Sequence, residues 1–219
     1  MAVGIVDRQK LVNIADAVRA KKGITEKMTL DAIASNITSM PTADNNAKYD
    51  FTGSGSKSNK SLLSYLTTID LSNFDTSNYT SMYSMFRDYS SLTSLDLSGF
   101  NTSKVTAMDS MFADCISLTS LDLSNWDTTN VDFMGKMFTR CSKLSNLTLG
   151  TNWASNLNID SFDLSYCPLT HESAVDVINK LATRSNSPVI KFSNAVGLYQ
   201  SEIDIATNKG WSVSGCTVL

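Results

Sequence analysis

Histidine is almost absent from this chain. Its 219 residues hold one histidine and three prolines. That histidine, His171, stands beside Thr170, a good helix-capping residue, so a structural role at a helix start is expected rather than catalysis. No GxSxG nucleophile turn and no glycine-rich phosphate loop occurs. Nothing singles out a converging carboxylate pair of the kind glycosidases use. An enzyme is not expected, and no catalytic residue or cofactor is assigned. Lys/Arg-rich runs are also missing, and the net charge is only -3, which argues against a nucleic-acid partner. No stretch approaches 18 consecutive apolar residues, so no membrane span is expected. Residues 1–10 have no basic region followed by a long apolar run, and no wall-anchoring tail closes the chain. The expectation is a protein made in the cytoplasm that reaches any outside site by another route. The four cysteines lack metal-ligand spacing.

What the chain has is a repeat. Leu66–Ser91, Leu92–Ser117 and Leu118–Lys143 follow one another at 26-residue intervals. Their openings read LTTIDLSNFDTSN, LTSLDLSGFNTSK and LTSLDLSNWDTTN, and their second halves YTSMYSMFRDYSS, VTAMDSMFADCIS and VDFMGKMFTRCSK. A constant period without insertions means units stacked in one dimension, each burying a face it could not bury alone. In Leu95-Asp96-Leu97 apolar and polar residues alternate, the signal of a strand with its leucines inward. Val105, Met108, Met111, Phe112 and Cys115 are spaced for one face of a helix. Thr76, Thr102 and Thr128, each followed by Ser or Thr, are positioned to cap it. Each unit therefore reads as strand, turn, short helix.

Six of the nine methionines fall in two columns, Met82/Met108/Met134 and Met85/Met111/Met137. A Met stripe at helical spacing next to Phe reads as core. Cys115 and Cys141 share a column with Tyr89 in first place, and Cys167 lies one period further; they read as buried, reduced thiols. Asp70, Asp96 and Asp122 form an outward column about 4.8 Å apart if the strands stack. Hydrogen bonds from nearby Ser, Thr and backbone groups are the expected offset to that repulsion, ahead of a metal. Asp75, Asn101 and Asp127 form a second oxygen-rich column.

The recognition candidates are residues where column chemistry varies on this constant frame. They are Tyr83, Lys104, Asp109 and Arg140, with Tyr79 and the column Asp70, Asp96, Asp122. Tyr83 shares its column with Asp109 and Gly135, so packing does not demand an aromatic there. Tyr79 shares its column with Val105 and Val131, which leaves burial open.

Outside the repeats, Asp7 caps an expected helix with Leu11, Ile14, Ala15 and Val18 on one face. Thr29 caps a second with Ile33 and Ile37. Residues 1–40 read as a small N-terminal helical module, and 41–62 as a linker that also covers the first strand edge. Residues 63–169 hold the leucine-rich repeats, and 170–219 an α/β C-terminal cap. The fourth unit starts well at Leu144 and then loses the Met-Met-Phe signature. One alignment extends the period to Cys167. The preferred one takes Phe162-Asp163-Leu164-Ser165 as a new strand copy. Thr170 then caps a helix through Leu181, Val189–Phe192 is a strand, Glu202–Asn208 a helix, and Trp211–Val213 a last strand.

The three copies of the pattern LDLSxFDTSxVTxMxxMFxxCxxL resemble the BspA-type leucine-rich-repeat family of bacterial and phage surface proteins. That resemblance implies an α/β solenoid and a role in adhesion or receptor binding, without enzymatic activity. IADAVRAKKGITEKMTLDAIASNI and FDLSYCPLTHESAVDVINKLA look like flanking modules of tail-associated proteins from phages and prophages of Gram-positive bacteria. They imply a virion protein of the phage tail. It would bind a host cell-surface glycan or protein, with the N-terminal helices holding other tail proteins or a second copy. The alternatives are a bacterial cell-surface adhesin and a structural tail component.

Overall fold

A computed structural model describes Thr67, Ile69, Leu71, residues 75–156 and residues 161–219. The chain divides into two compact units, Met1–Asp50 and Phe51–Leu219, and all described residues belong to the second. The helical module and linker expected over 1–62, and Asp70, lie outside the described residues.

The fold is mixed α/β, with short parallel strands around a buried aromatic core. In chain order the elements are β1 (Ser120–Leu123), β2 (Asn146–Leu149), β3 (Ser161–Leu164), α1 (His171–Lys180), β4 (Val189–Phe192), β5 (Gly197–Leu198), α2 (Gln200–Asn208), β6 (Ser212–Ser214) and β7 (Thr217–Val218). They pair as β1-β2, β3-β4-β6 and β5-β7, all parallel. In β1 and β2 side chains alternate exposed and buried, so Leu121 and Leu123 sit opposite Leu147 and Leu149 inside. Leu95 and Leu97 keep that alternation outside any named strand.

The six columnar methionines are at most 2 % exposed. Phe86, Phe112 and Phe138 stack face to face at 5.7 Å steps, and Phe100 stacks on Trp126 at 6.2 Å. Such pairs each add about 0.5–1.5 kcal/mol beyond area burial. The thiols lie in the same core. Cys115 Sγ donates to Phe86 O at 3.0 Å and Cys141 Sγ to Phe112 O at 3.1 Å, each one copy back. All four cysteines are free.

The helix expected in each unit is replaced by overlapping turns. Met85 N–H bonds to Met82 O, Arg87 N–H to Ser84 O and Tyr89 N–H to Phe86 O, and the next copy repeats the set at Met111, Ala113 and Cys115. Between them, alternate amides point to the neighbouring copy: Met82, Ser84, Phe86 and Asp88 donate to Ala107, Asp109, Met111 and Ala113. Met108, Ser110, Phe112 and Asp114 donate to Phe133, Gly135, Met137 and Thr139 in the same way. An α-helix would direct those amides along its own axis; here they hold one copy to the next. The turns need positive φ at two places per copy, Ser84 and Asp88, Ser110 and Asp114, Lys136 and Arg140. A three-residue advance per turn produces the same apolar spacing as a helix, which is why the pattern misleads.

The threonines expected as helix caps serve a different partner. Thr76, Thr102 and Thr128 are at most 2 % exposed. Thr76 Oγ1 donates to Asn101 O at 3.1 Å and accepts Asn101 N–H at 2.8 Å. Thr102 does the same to Asp127 at 2.9 Å and 2.9 Å. Thr128 accepts Ala154 N–H at 3.3 Å. Each hydroxyl thus satisfies backbone groups of the following copy.

Both alignments of the fourth unit capture something. Phe162, Asp163 and Leu164 lie in β3 and Ser165 in the turn after it, yet β3 pairs with β4 rather than β2. Cys167 keeps the thiol column, with Sγ 3.8 Å from Phe138 O. The edge of β2 is met by α1. Ser173 Oγ accepts Leu147 N–H at 2.8 Å and donates to Leu147 O at 3.1 Å, closing the edge as a further strand would. Thr170 caps α1 through Ser173 N–H, and Ala174, Val177 and Ile178 are its buried face. At its other end Lys209 Nζ meets the carbonyls of Ile178, Asn179 and Leu181 at 2.6–3.2 Å, where a cation suits the helix dipole.

Helix α2 starts two residues before the expected Glu202, because the Glu202 carboxylate accepts Tyr199 N–H at 2.8 Å and fixes the first turn. Gly210 follows with φ +83°, where a side chain would collide with Arg184 O. The strand expected to close the chain at Trp211–Val213 is β6 and begins at Ser212, one residue late, because Trp211 is in the core with its Nε1 bonded to Ala182 O at 2.8 Å, and β7 follows it. Strands β5 and β7 have two residues each, too few for an alternating pattern.

Candidate functional site

The candidate residues fall into two groups carried by different halves of the unit. The first follows the strands. Asp96 and Asp122 are exposed, and each accepts the N–H two residues on, Ser98 at 3.0 Å and Ser124 at 2.9 Å. Asp163 does so with Ser165. The backbone hydrogen bond holds the Asp96 carboxyl below the usual range. A depression of about 180 Å³ between these strand ends is lined by Leu95, Asp96, Leu97, Ser98, Asp122, Ser124 and Asn125. Among the described residues no group of three or more metal-ligating side chains converges. The second column behaves alike. Asp127 accepts from both the hydroxyl and the amide of Thr129, at 2.7 and 2.9 Å, and these bonds lower its carboxyl.

The second group lies on the turn stack. The bridges Ser81 to Ala107 and Ala107 to Phe133 align three copies. Two residues on, Tyr83, Asp109 and Gly135 form the next column. Tyr83 is 48 % and Phe133 58 % exposed. Met82, Met108 and Met134 between these columns are buried, so both rings point away from the core. Asp109 is half-buried, and burial pushes its carboxyl up. A side chain at Gly135 would crowd it, at 3.2 Å from Asp109 Oδ1. Tyr83 and Phe133 sit two copies apart, roughly 10 Å at 4.8 Å per copy. Phe133 is the residue that sequence comparison passed over, although its column reads Ser, Ala, Phe.

The remaining candidates are engaged elsewhere. Tyr79 is partly buried and packs on the core. Lys104 Nζ bonds to Asn78 Oδ1 at 3.2 Å, one copy back. Arg140 is exposed and pairs with Asp114 at 2.9 Å. Neither joins the Tyr83–Asp109 column.

Residues 57–165 match the DUF285 family model, described as a Mycoplasma protein of unknown function. The DUF285 match holds the three repeats, the methionine columns and both candidate groups, and ends at Ser165, before α1. No curated protein matches the chain, and no solved structure does. The function of the DUF285 family being unknown, its match assigns neither an adhesion role nor a phage setting.

Proposed function

We propose that residues 63–169 form a leucine-rich-repeat solenoid with 170–219 as its cap, and that the chain is a non-enzymatic binding protein. The carrying observation is the pair Tyr83 and Phe133. Each is a large exposed ring in a column otherwise held by small or polar residues, so the frame does not require it. Exposed aromatics on a rigid support are what binding surfaces use as anchors. Asp109 between them supplies an acceptor. Two ring faces and a carboxylate suit a sugar, whose C–H faces stack on rings and whose hydroxyls donate to carboxylates. The ligand is a host cell-surface glycan or a protein, bound through the repeats. The phage-tail setting, with N-terminal helices holding other tail proteins or a second copy, rests on the resemblance of the flanking segments. The second reading, a bacterial cell-surface adhesin, is favoured by the Mycoplasma description of the DUF285 family.

The test is binding of the full chain to intact cells and wall fractions of Gram-positive bacteria. It is run alongside fragments that end and begin near Asp44. Binding by the full chain and the repeat fragment supports the reading. Binding by the helical fragment alone reverses the roles. Assembly with virion proteins without any cell binding makes the chain a structural tail component.

A further inference from the structure

We propose that His171 is a pH-dependent clamp that locks β5 and the first turn of α2 onto the start of α1 when it is doubly protonated. His171 opens α1, and its ring reaches two other elements. Nδ1 lies 2.8 Å from Gly197 O on β5, and Nε2 lies 3.1 Å from Glu202 Oε1 on α2. The ring of Tyr199 packs edge-on against it at 5.6 Å. A carbonyl oxygen only accepts, and so does a carboxylate. Both ring nitrogens must therefore carry a proton, and the species that fits is the imidazolium. Neutral imidazole has one donor, so one of the two contacts would set a nitrogen lone pair against an oxygen.

The charged groups facing the ring agree with this. Glu202 faces it from α2 and Glu172 from α1 itself, while β5 contributes the Gly197 carbonyl. The carbonyl bond, then the two carboxylates, hold the imidazole above its ordinary value against the opposing effect of burial. A raised folded value means the clamp's contribution is complete below the unfolded value, about 6.5. It is lost as pH rises through the higher folded value.

The far end of α2 stays tied to α1 through Lys209 and β6 to β4, whereas β5 and the entry to α2, which the clamp holds, have few other bonds. β5 pairs only with β7 among the described strands, over two residues. The bonds Thr217 N–H to Val196 O at 2.8 Å and Leu219 N–H to Leu198 O at 2.9 Å complete that edge. Glu202 links the clamp to α2, since its other oxygen accepts Tyr199 N–H at 2.8 Å. Loss of the proton thus weakens the entry to α2 and the β5–β7 pair together, while the repeat core, which shares none of these bonds, keeps its stability. Short segments with few backbone bonds are where local opening occurs.

The experiment uses the full chain. As its one histidine, His171 gives an unambiguous proton NMR titration. In parallel, hydrogen exchange at the Tyr199, Thr217 and Leu219 amides is compared at pH 6 and pH 9, corrected for intrinsic rates. The expected result is a titration midpoint above 6.5 and a severalfold loss of protection at those amides at pH 9, with the amides of Met82 to Asp114 unaffected. H171Q and E202Q each remove the pH dependence. A midpoint at or below 6.5, or the same pH dependence in H171Q, overturns the proposal. If neither variant folds, the titration midpoint of the unmodified chain decides.

Discussion

Thr102→Val isolates the bond that ties one copy to the next. Valine keeps the β-branched shape and the buried methyl of Thr102, which is 2 % exposed. It removes the hydroxyl that serves both Asp127 O and Asp127 N–H. Two backbone groups then lose their partner, at about 1–3 kcal/mol for each buried group. The new methyl offsets about 1 kcal/mol of this. The net loss is about 1–5 kcal/mol, centred on about 3 kcal/mol, and that central value lowers the melting temperature by about 6–12 °C in a domain of this size. Thr102→Ser is the companion. It keeps the hydroxyl and loses a methyl, at about 1 kcal/mol. Urea unfolding of the three proteins gives the ranking, and the expected order of stability is wild type, then Ser, then Val. If burial alone set the stability of this column, Val would equal or exceed wild type. That result would refute the bridging role assigned to the threonines.

Lys136, at φ +57°, should tolerate glycine but not a β-branched residue. Lys136→Val is expected to destabilise, because branching at Cβ adds crowding to the left-handed penalty that Lys136 already bears, measurable as a lower denaturation midpoint beside an unchanged or raised one for Lys136→Gly. In a timed thiol-modification assay on the native protein, half-buried Cys216 reacts first. Cys115, Cys141 and Cys167 react only on unfolding, because burial pushes their thiols up, that of Cys141 to about 12. Rapid labelling of the three buried thiols without denaturant would contradict the core assignment. Acid should weaken the fold through Asp75, Asp96 and Asp127, whose turn hydrogen bonds hold their carboxyls low. Lowered folded values give a contribution that is present above the unfolded value, about 3.9, and is lost as pH falls through the folded ones. The melting temperature should therefore decline below about pH 4, less steeply in D127N.

The columns of Leu, Met, Phe and Asp were legible because a fixed period puts chemically similar residues in register. The conformation between them was not. Met108, Met111, Phe112 and Cys115 have the spacing of a helix face, and consecutive three-residue turns have it too. Glycine would have betrayed the turns, but Ser84, Asp88, Lys136 and Arg140 occupy the positive-φ positions. Thr102 was recognisable as a backbone-bonding residue. Its partner is 25 residues away, so only the stacking of copies reveals it. Of the candidate surface, Tyr83 stood out by column comparison, and the same comparison applied to Ser81, Ala107 and Phe133 would have found Phe133. The half-burial of Asp109 depends on the neighbouring copies and has no sequence signature.

Binding through the turn stack is tested most directly on the full chain with Tyr83→Ser, Phe133→Ala and Asp109→Asn, singly and together. The readout is retention on intact Gram-positive cells, with melting temperature as the control for folding. All three positions lie at the surface or half-buried, so the variants should fold. Each single change is expected to lower cell retention at least about tenfold, the loss of about 1.4 kcal/mol of contact, and the triple variant to abolish it. Full retention by a folded triple variant would place the binding surface elsewhere and contradict the account.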